Sequence, residues 1–195
     1  MILSNVEIHR ALDEKRLIID PEPLPRESGT TAKSPYQTTA VDLRLGDEIS
    51  FFKDGLALDI NLNRGSFIKL FNLNSETRKI SVDSPYTLRP NKFVLGRTLE
   101  CVTLPLMPTG QISLAARVEG KSSYARCGLL VHFTAPTIHA GFSGTITLEL
   151  INLGPYNITL HAGAPICQLI LEEIVGVPLR NDSQFQGQTA PGGRA

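Results

Sequence analysis

Thr145-Ile146-Thr147-Leu148-Glu149-Leu150 alternates polar and apolar residues with a period of two. In an extended chain this places Ile146, Leu148 and Leu150 on one face and Thr145, Thr147 and Glu149 on the other. The alternation recurs upstream in Val41-Asp42-Leu43-Arg44-Leu45, in Ile80-Ser81-Val82 and in Phe93-Val94-Leu95-Gly96. Short strands at such spacing predict an antiparallel, mainly β domain of the jelly-roll kind. Leu153-Gly154-Pro155-Tyr156-Asn157 and His161-Ala162-Gly163-Ala164-Pro165 are turn-rich links between the last strands, which end near Glu172-Glu173-Ile174.

The flanks read differently. Ser4-Asn5-Val6-Glu7 has the form of a capping box, with Ser4 accepting from the third helical amide and Glu7 reaching back to the cap amide. A short helix to about Glu14 follows. Residues 20–39 carry Pro21, Pro23, Pro25 and Pro35, which predicts an extended or mobile connection with few ladder bonds, a loop within one domain. Residues 1–178 therefore read as a single domain. Residues 179–195 read as a polar, flexible tail, too poor in apolar area to order unaided but able to order on a ligand.

Composition narrows the function classes. A chain of 195 residues buries enough surface for a core without staples. Lys plus Arg and Asp plus Glu number 19 each, so no overall basic field exists to hold a nucleic-acid polymer. Cys101, Cys127 and Cys167 are isolated, which argues against a disulfide framework and suits a reducing cytosol. No apolar run approaches the roughly 20 residues of a membrane span, and Met1 to Ile8 lack the pattern of a signal peptide. A cytoplasmic protein without membrane contact is expected.

Gly120-Lys121-Ser122-Ser123-Tyr124-Ala125-Arg126-Cys127-Gly128 is the densest polar cluster. If Ser122 opens a helical turn, Ser122 and Arg126 share a face and free amides point outward, a geometry suited to a phosphate chain. A serine-capped surface turn with solvated cations is the plainer alternative. Glu149 lies on a polar strand face and reads either as a solvated glutamate or as a base. His132 sits in the apolar run Leu129-Leu130-Val131-His132-Phe133 and reads as a core histidine satisfied by the backbone. His9, His132, His139 and His161 show no metal-site spacing, and neither a Gly-x-Ser-x-Gly elbow nor a Walker loop is present.

The run from Gly120 to His132, together with residues 135–144 and Thr147-Leu148-Glu149, resembles the dCTP deaminases, which share a distorted jelly roll and a trimeric assembly with the dUTPases. Met1-Ile2-Leu3-Ser4, Val41-Asp42-Leu43-Arg44-Leu45-Gly46 and Phe185-Gln186-Gly187-Gln188 are similar too. The resemblance implies zinc-independent deamination of dCTP to dUTP and ammonia, feeding dUMP and dTTP synthesis, in a homotrimer with active sites between subunits. It implies Glu149 as the catalytic carboxylate, with Ser122 and Arg126 around the reacting base and Lys121 and Ser123 on the phosphates. Phe133 and Ala135 would read the cytosine edge and hold the water through backbone groups. Further contacts to dCTP, dUTP or dTTP are implied at His139, Gln168, Gln184 and Gln188, the last in a tail that closes over the nucleotide. Mg²⁺ would arrive on the triphosphate.

Deamination needs a water activated against C4, a proton at N3 and a proton for the departing ammonia. Zinc deaminases use a His-x-Glu and Pro-Cys-x-x-Cys signature that this sequence lacks. One carboxylate would then serve as base and proton shuttle, its charge held by Arg126. Two positions depart from the family pattern. His139 stands where an aspartate usually contacts the sugar 3′-hydroxyl and, in dUTPases, activates water; Gln184 stands where some members carry a lysine for the phosphates. A dUTP diphosphatase, alone or bifunctional with deamination, and a non-catalytic nucleotide-binding regulator are the competing readings.

Overall fold

The computed structural model describes residues 1–53, 71, 73–132, 134–179 and 187–191. Helix α1 (Asn5–Asp13) precedes strands β1 (Ile18–Asp20), β2 (Val41–Arg44), β3 (Glu48–Phe52), β4 (Ser75–Lys79), β5 (Tyr86–Leu88), β6 (Phe93–Thr103) and β7 (Leu114–Gly120). A one-turn helix α2 (Ser122–Ala125) leads to β8 (Leu129–Val131), β9 (Thr137–Ile138), β10 (Ser143–Asn152), β11 (Ile158–Leu160) and β12 (Pro165–Glu173). One sheet has the order β4-β3-β6-β10-β8 with β1 also on β6, a second runs β2-β12-β7-β9, and β5 pairs β11; all pairings are antiparallel.

The expected alternation is what seats β10. Ile146, Leu148 and Leu150 are almost wholly buried, whereas Thr147 and Glu149 are only partly covered. Leu148 and Leu150 meet residues of both sheets in one core with Leu43, Leu45, Val118 and Leu169. Burying such side chains contributes roughly 1.5–3 kcal/mol each. A register irregularity between Thr145 and Thr147 turns Thr145 inward as well, against the strict alternation.

Several expectations change in detail. Ser4 accepts from the Glu7 amide at 3.4 Å, but the Glu7 carboxylate pairs with Arg10 at 3.1 Å, so only half of the capping box forms. Ile80-Ser81-Val82 is no strand: Ile80 is buried just past β4, and Ser81 starts a hydroxyl-capped turn with Ser84 that leaves Val82 exposed. The loop before β2 lacks ladders as expected, yet it is tied down. Arg26 holds Glu22 and Asp13 at 2.7 and 2.8 Å, the buried Ser34 hydroxyl donates to the Arg26 carbonyl at 2.9 Å, and Tyr36 is buried. Among the described residues no helix is long and apolar enough to cross a membrane.

Candidate active site

The turn between β7 and β8 carries the polar cluster. Its N-cap is Lys121, extended and without a side-chain capping bond, so the serines do not cap α2; Ser122 and Ser123 open it and are exposed. Their amides are the first of the turn and have no intrahelical acceptor. Gly128, at φ +89°, closes the turn, and a Cβ there would sit 2.2 Å from the Gly154 amide nitrogen. Only glycine permits that approach, which locks the turn onto the β10–β11 link.

A cleft of about 440 Å³ opens beside this turn, lined by Lys33, Arg44, Lys121, Ser122, Ser123 and Gln168 among others. Asp42 organises it. Lys121 Nζ meets Asp42 Oδ2 at 2.5 Å, and Gln168 Nε2 donates to Asp42 Oδ1 at 3.1 Å. One carboxylate thus fixes two side chains from different strands, and the ammonium keeps two further N–H donors for a ligand. Arg44 is fixed similarly. Its Nε donates to Glu100 Oε1 at 2.6 Å and its amide to Glu100 Oε2 at 2.9 Å. Glu100 is fully buried, so both its oxygens are satisfied by one residue across the two sheets. Among the described residues the Arg44 η nitrogens have no hydrogen-bond partner. Lys33, Arg44 and Lys121 therefore stand at the cleft against the carboxylates of Asp42 and the buried Glu100, a balance that leaves an excess of positive charge for an anion.

Glu149 lies elsewhere. It is not a lining residue of that cleft, and its side chain is 27% exposed. Its Oε2 is 2.8 Å from His132 Nδ1, the His132 amide donates to the Glu149 carbonyl at 2.9 Å, and His132 Nε2 lies 2.7 Å from the Ala135 carbonyl oxygen. His132 is therefore more than a core histidine satisfied by the backbone; that account covers only one ring nitrogen. Its backbone is left-handed, at φ +55°, an unusual state for a residue other than glycine. Arg126 is exposed and makes no ion pair among the described residues, so within one chain the Glu149 charge is met by His132, not by Arg126.

The predicted residues fall into two groups. Lys121, Ser122, Ser123 and Gln168 share the cleft; Glu149 and Ala135 are joined through His132. His139 is exposed after β9. Gln188 is buried against β10, donating from Nε2 to the Thr145 carbonyl at 2.7 Å and accepting the Thr145 amide at 3.0 Å, four residues before Glu149. Phe133 and Gln184 lie outside the described residues. Lys33, Asp42, Arg44 and Glu100 were not singled out from sequence, although Asp42 and Arg44 occupy the polar face of a strand pattern, where two like-facing charges are a signal. Among the described residues no group of three or more His, Cys, Asp or Glu side chains could hold a metal ion.

Comparison with known proteins identifies the family. The family model for dCTP deaminase-like proteins matches residues 2–174. A protein of Methanosphaera stadtmanae named "dCTP deaminase, dUMP-forming" is 35% identical over 97% of this chain and 91% of its own. One of Rhodospirillum rubrum named "dCTP deaminase" is 36% identical over 90% and 84%. The crystal structure of 2′-deoxycytidine 5′-triphosphate deaminase from Agrobacterium tumefaciens superposes with a TM-score of 0.59 at 18% identity, covering 87% of this chain and 47% of that longer one, which shows the shared fold. With the match spanning every strand from β1 to β12, the chain belongs to the dCTP deaminase-like family.

Proposed function

We propose that this protein hydrolyses dCTP to dUTP and ammonia without zinc, as a cytosolic homotrimer with its sites between subunits. The observation that carries the reading is the Glu149 carboxylate, with one oxygen sealed against His132 on a half-covered strand face, in a chain with 35% identity to a dCTP deaminase. The separation of Glu149 from the cationic cleft supports the assembly: one chain presents two incomplete halves, and a neighbouring copy would supply the other.

In this mechanism Glu149 takes a proton from water as the oxygen adds to C4, and passes it to N3. A second proton, taken from the added hydroxyl, goes to the amino group, the C4–N bond breaks, and the C4 carbonyl of dUTP forms as ammonia leaves. Ser122 and Arg126 would bound the base from the adjacent subunit. Lys121, Ser123 and Gln168, joined by Lys33 and Arg44, would hold the triphosphate. The Ala135 carbonyl keeps a lone pair beside the one used by His132, available for the attacking water or the cytosine amine. Gln188 and Gln184 belong to the tail proposed to close over the nucleotide, with His139 toward the sugar and Phe133 toward the base. Mg²⁺ enters as part of the nucleotide substrate. Asp42 has both oxygens engaged by Lys121 and Gln168.

A second reading, formation of dUMP, is favoured by the name of the Methanosphaera stadtmanae relative and opposed by His139 in place of the usual aspartate. Incubating the purified protein with dCTP, dCMP, CTP and dUTP distinguishes the outcomes. Ammonia with accumulating dUTP from dCTP alone is expected. Pyrophosphate and dUMP would establish the second reading, and tight nucleotide binding without any product would leave only a regulatory role.

A further inference from the structure

We propose that His132 is a positioning residue for Glu149: it sets its Nδ1 edge against Oε2, orients the carboxyl group, and leaves Oε1 for water and substrate. This rests on the deaminase reading above, and goes beyond it by assigning the group that holds the base.

Donor and acceptor accounting leads there. A carbonyl oxygen only accepts, so the 2.7 Å contact to Ala135 requires the hydrogen on His132 Nε2. Nδ1 then faces Glu149 Oε2 at 2.8 Å. Two lone pairs cannot share that distance without repulsion, so the two groups share one proton and act as a pair. Both atoms are sealed from solvent, and neither has an aligned hydrogen-bond partner among the described residues. The approach is close but off the ring N–H axis, a charge contact more than a relaxed hydrogen bond. Three constraints hold the ring there: the His132 amide on the Glu149 carbonyl, Nε2 on Ala135, and the left-handed backbone at φ +55°. Strain of this sort persists only where surrounding structure imposes it, and it is concentrated at working sites. Among the described residues Arg126 makes no ion pair and is exposed, so His132 is the basic side chain that the chain itself sets against Glu149.

The test exchanges donor for acceptor at one spot. Asn and Asp at position 132 have the same shape and both tolerate left-handed backbone, and each places a terminal atom near the site of Nδ1. His132→Asn keeps an N–H toward Glu149 and is expected to retain kcat within about tenfold, whereas His132→Asp opposes the carboxylate and is expected to lose about a hundredfold or more in kcat at unchanged KM. A role confined to packing and to the Ala135 contact predicts equal losses in both, since neither side chain reaches Ala135; that result overturns the inference. His132→Gln, which mimics Nε2, is expected to bind dCTP but turn over poorly, and full activity there also overturns it. Thermal melting and dCTP binding are measured on every variant. If His132→Asp fails to fold, the decision rests on Asn against Gln. No ammonia from the wild-type chain would overturn the deaminase reading and this inference with it, whereas normal wild-type turnover with equal Asn and Asp variants removes the inference alone.

Discussion

The Asp42 cluster and the Glu149 pair are both carboxylates met by nitrogen donors at under 3 Å, yet they are built in opposite ways. Asp42 takes donors from β7–α2 and β12 onto both oxygens, in ordinary backbone geometry, and its side chain is 12% exposed. Glu149 has one oxygen against a ring nitrogen off axis, beside a left-handed residue, and is more than twice as exposed. A satisfied carboxylate is a scaffold: it fixes Lys121 and Gln168 and has little left for chemistry. A carboxylate with one anchored and one available oxygen is suited to moving protons. On the proposed reading, the cleft holds the nucleotide and the strand face reacts.

Substitution should separate those roles, most widely at Glu149. Glu149→Gln is expected to lower kcat for ammonia release by about a thousandfold or more with dCTP binding retained, as removal of a general base does. Lys121→Met should instead raise KM about tenfold, equivalent to roughly 1.4 kcal/mol, with kcat near wild type. Equal kcat losses in both would erase the distinction between the two regions.

Arg44 sharpens it, because its charge meets the buried Glu100 and, on the proposed reading, the nucleotide as well. Arg44→Met leaves the buried Glu100 carboxylate uncompensated and should cost about 3 kcal/mol in denaturant unfolding as well as weakening dCTP binding. Adding Glu100→Gln should restore much of the stability but not the KM. Recovery of both would assign Arg44 a structural part only.

The smallest effect is expected at the tail. Gly144 has φ +149°, and a Cβ there would meet the Gln188 carbonyl oxygen at 2.9 Å and its amide nitrogen at 3.0 Å. Gly144→Ala should release residues 187–191 to limited proteolysis, with a several-fold rise in KM and little change in melting temperature.

The strand pattern was legible where a single period decides burial, as in β10, because side-chain alternation follows from extended geometry whatever the partner strand. It misled at Ile80-Ser81-Val82, where one inward residue beside a hydroxyl turn imitates a strand for three positions. Lys121, Ser122 and Ser123 stood together in sequence and stand together in the cleft. Asp42 and Gln168, joined at 3.1 Å, are separated by most of the chain, and no local pattern links them. His132 was misjudged for a related reason. An apolar neighbourhood says where a histidine sits, but its second nitrogen finds Glu149 across a strand pairing, information that resides in register. Burial likewise decides Cys167, whose thiol is pushed up mainly by its enclosure, with Glu100 and Asp42 nearby adding to the effect, so it stays protonated and inert.

The tail's seat on β10 is made largely of main-chain groups: the Gly187 amide on the Ser143 carbonyl and the Thr145 amide on the Gln188 carbonyl. Those bonds recognise the direction of a polypeptide, and the buried Gln188 side chain, donating to the Thr145 carbonyl, is the one letter of its spelling that the seat reads. The residues around Gln188 can therefore be rewritten without moving the segment, while the glycine at 144 continues to mark the address where it lands.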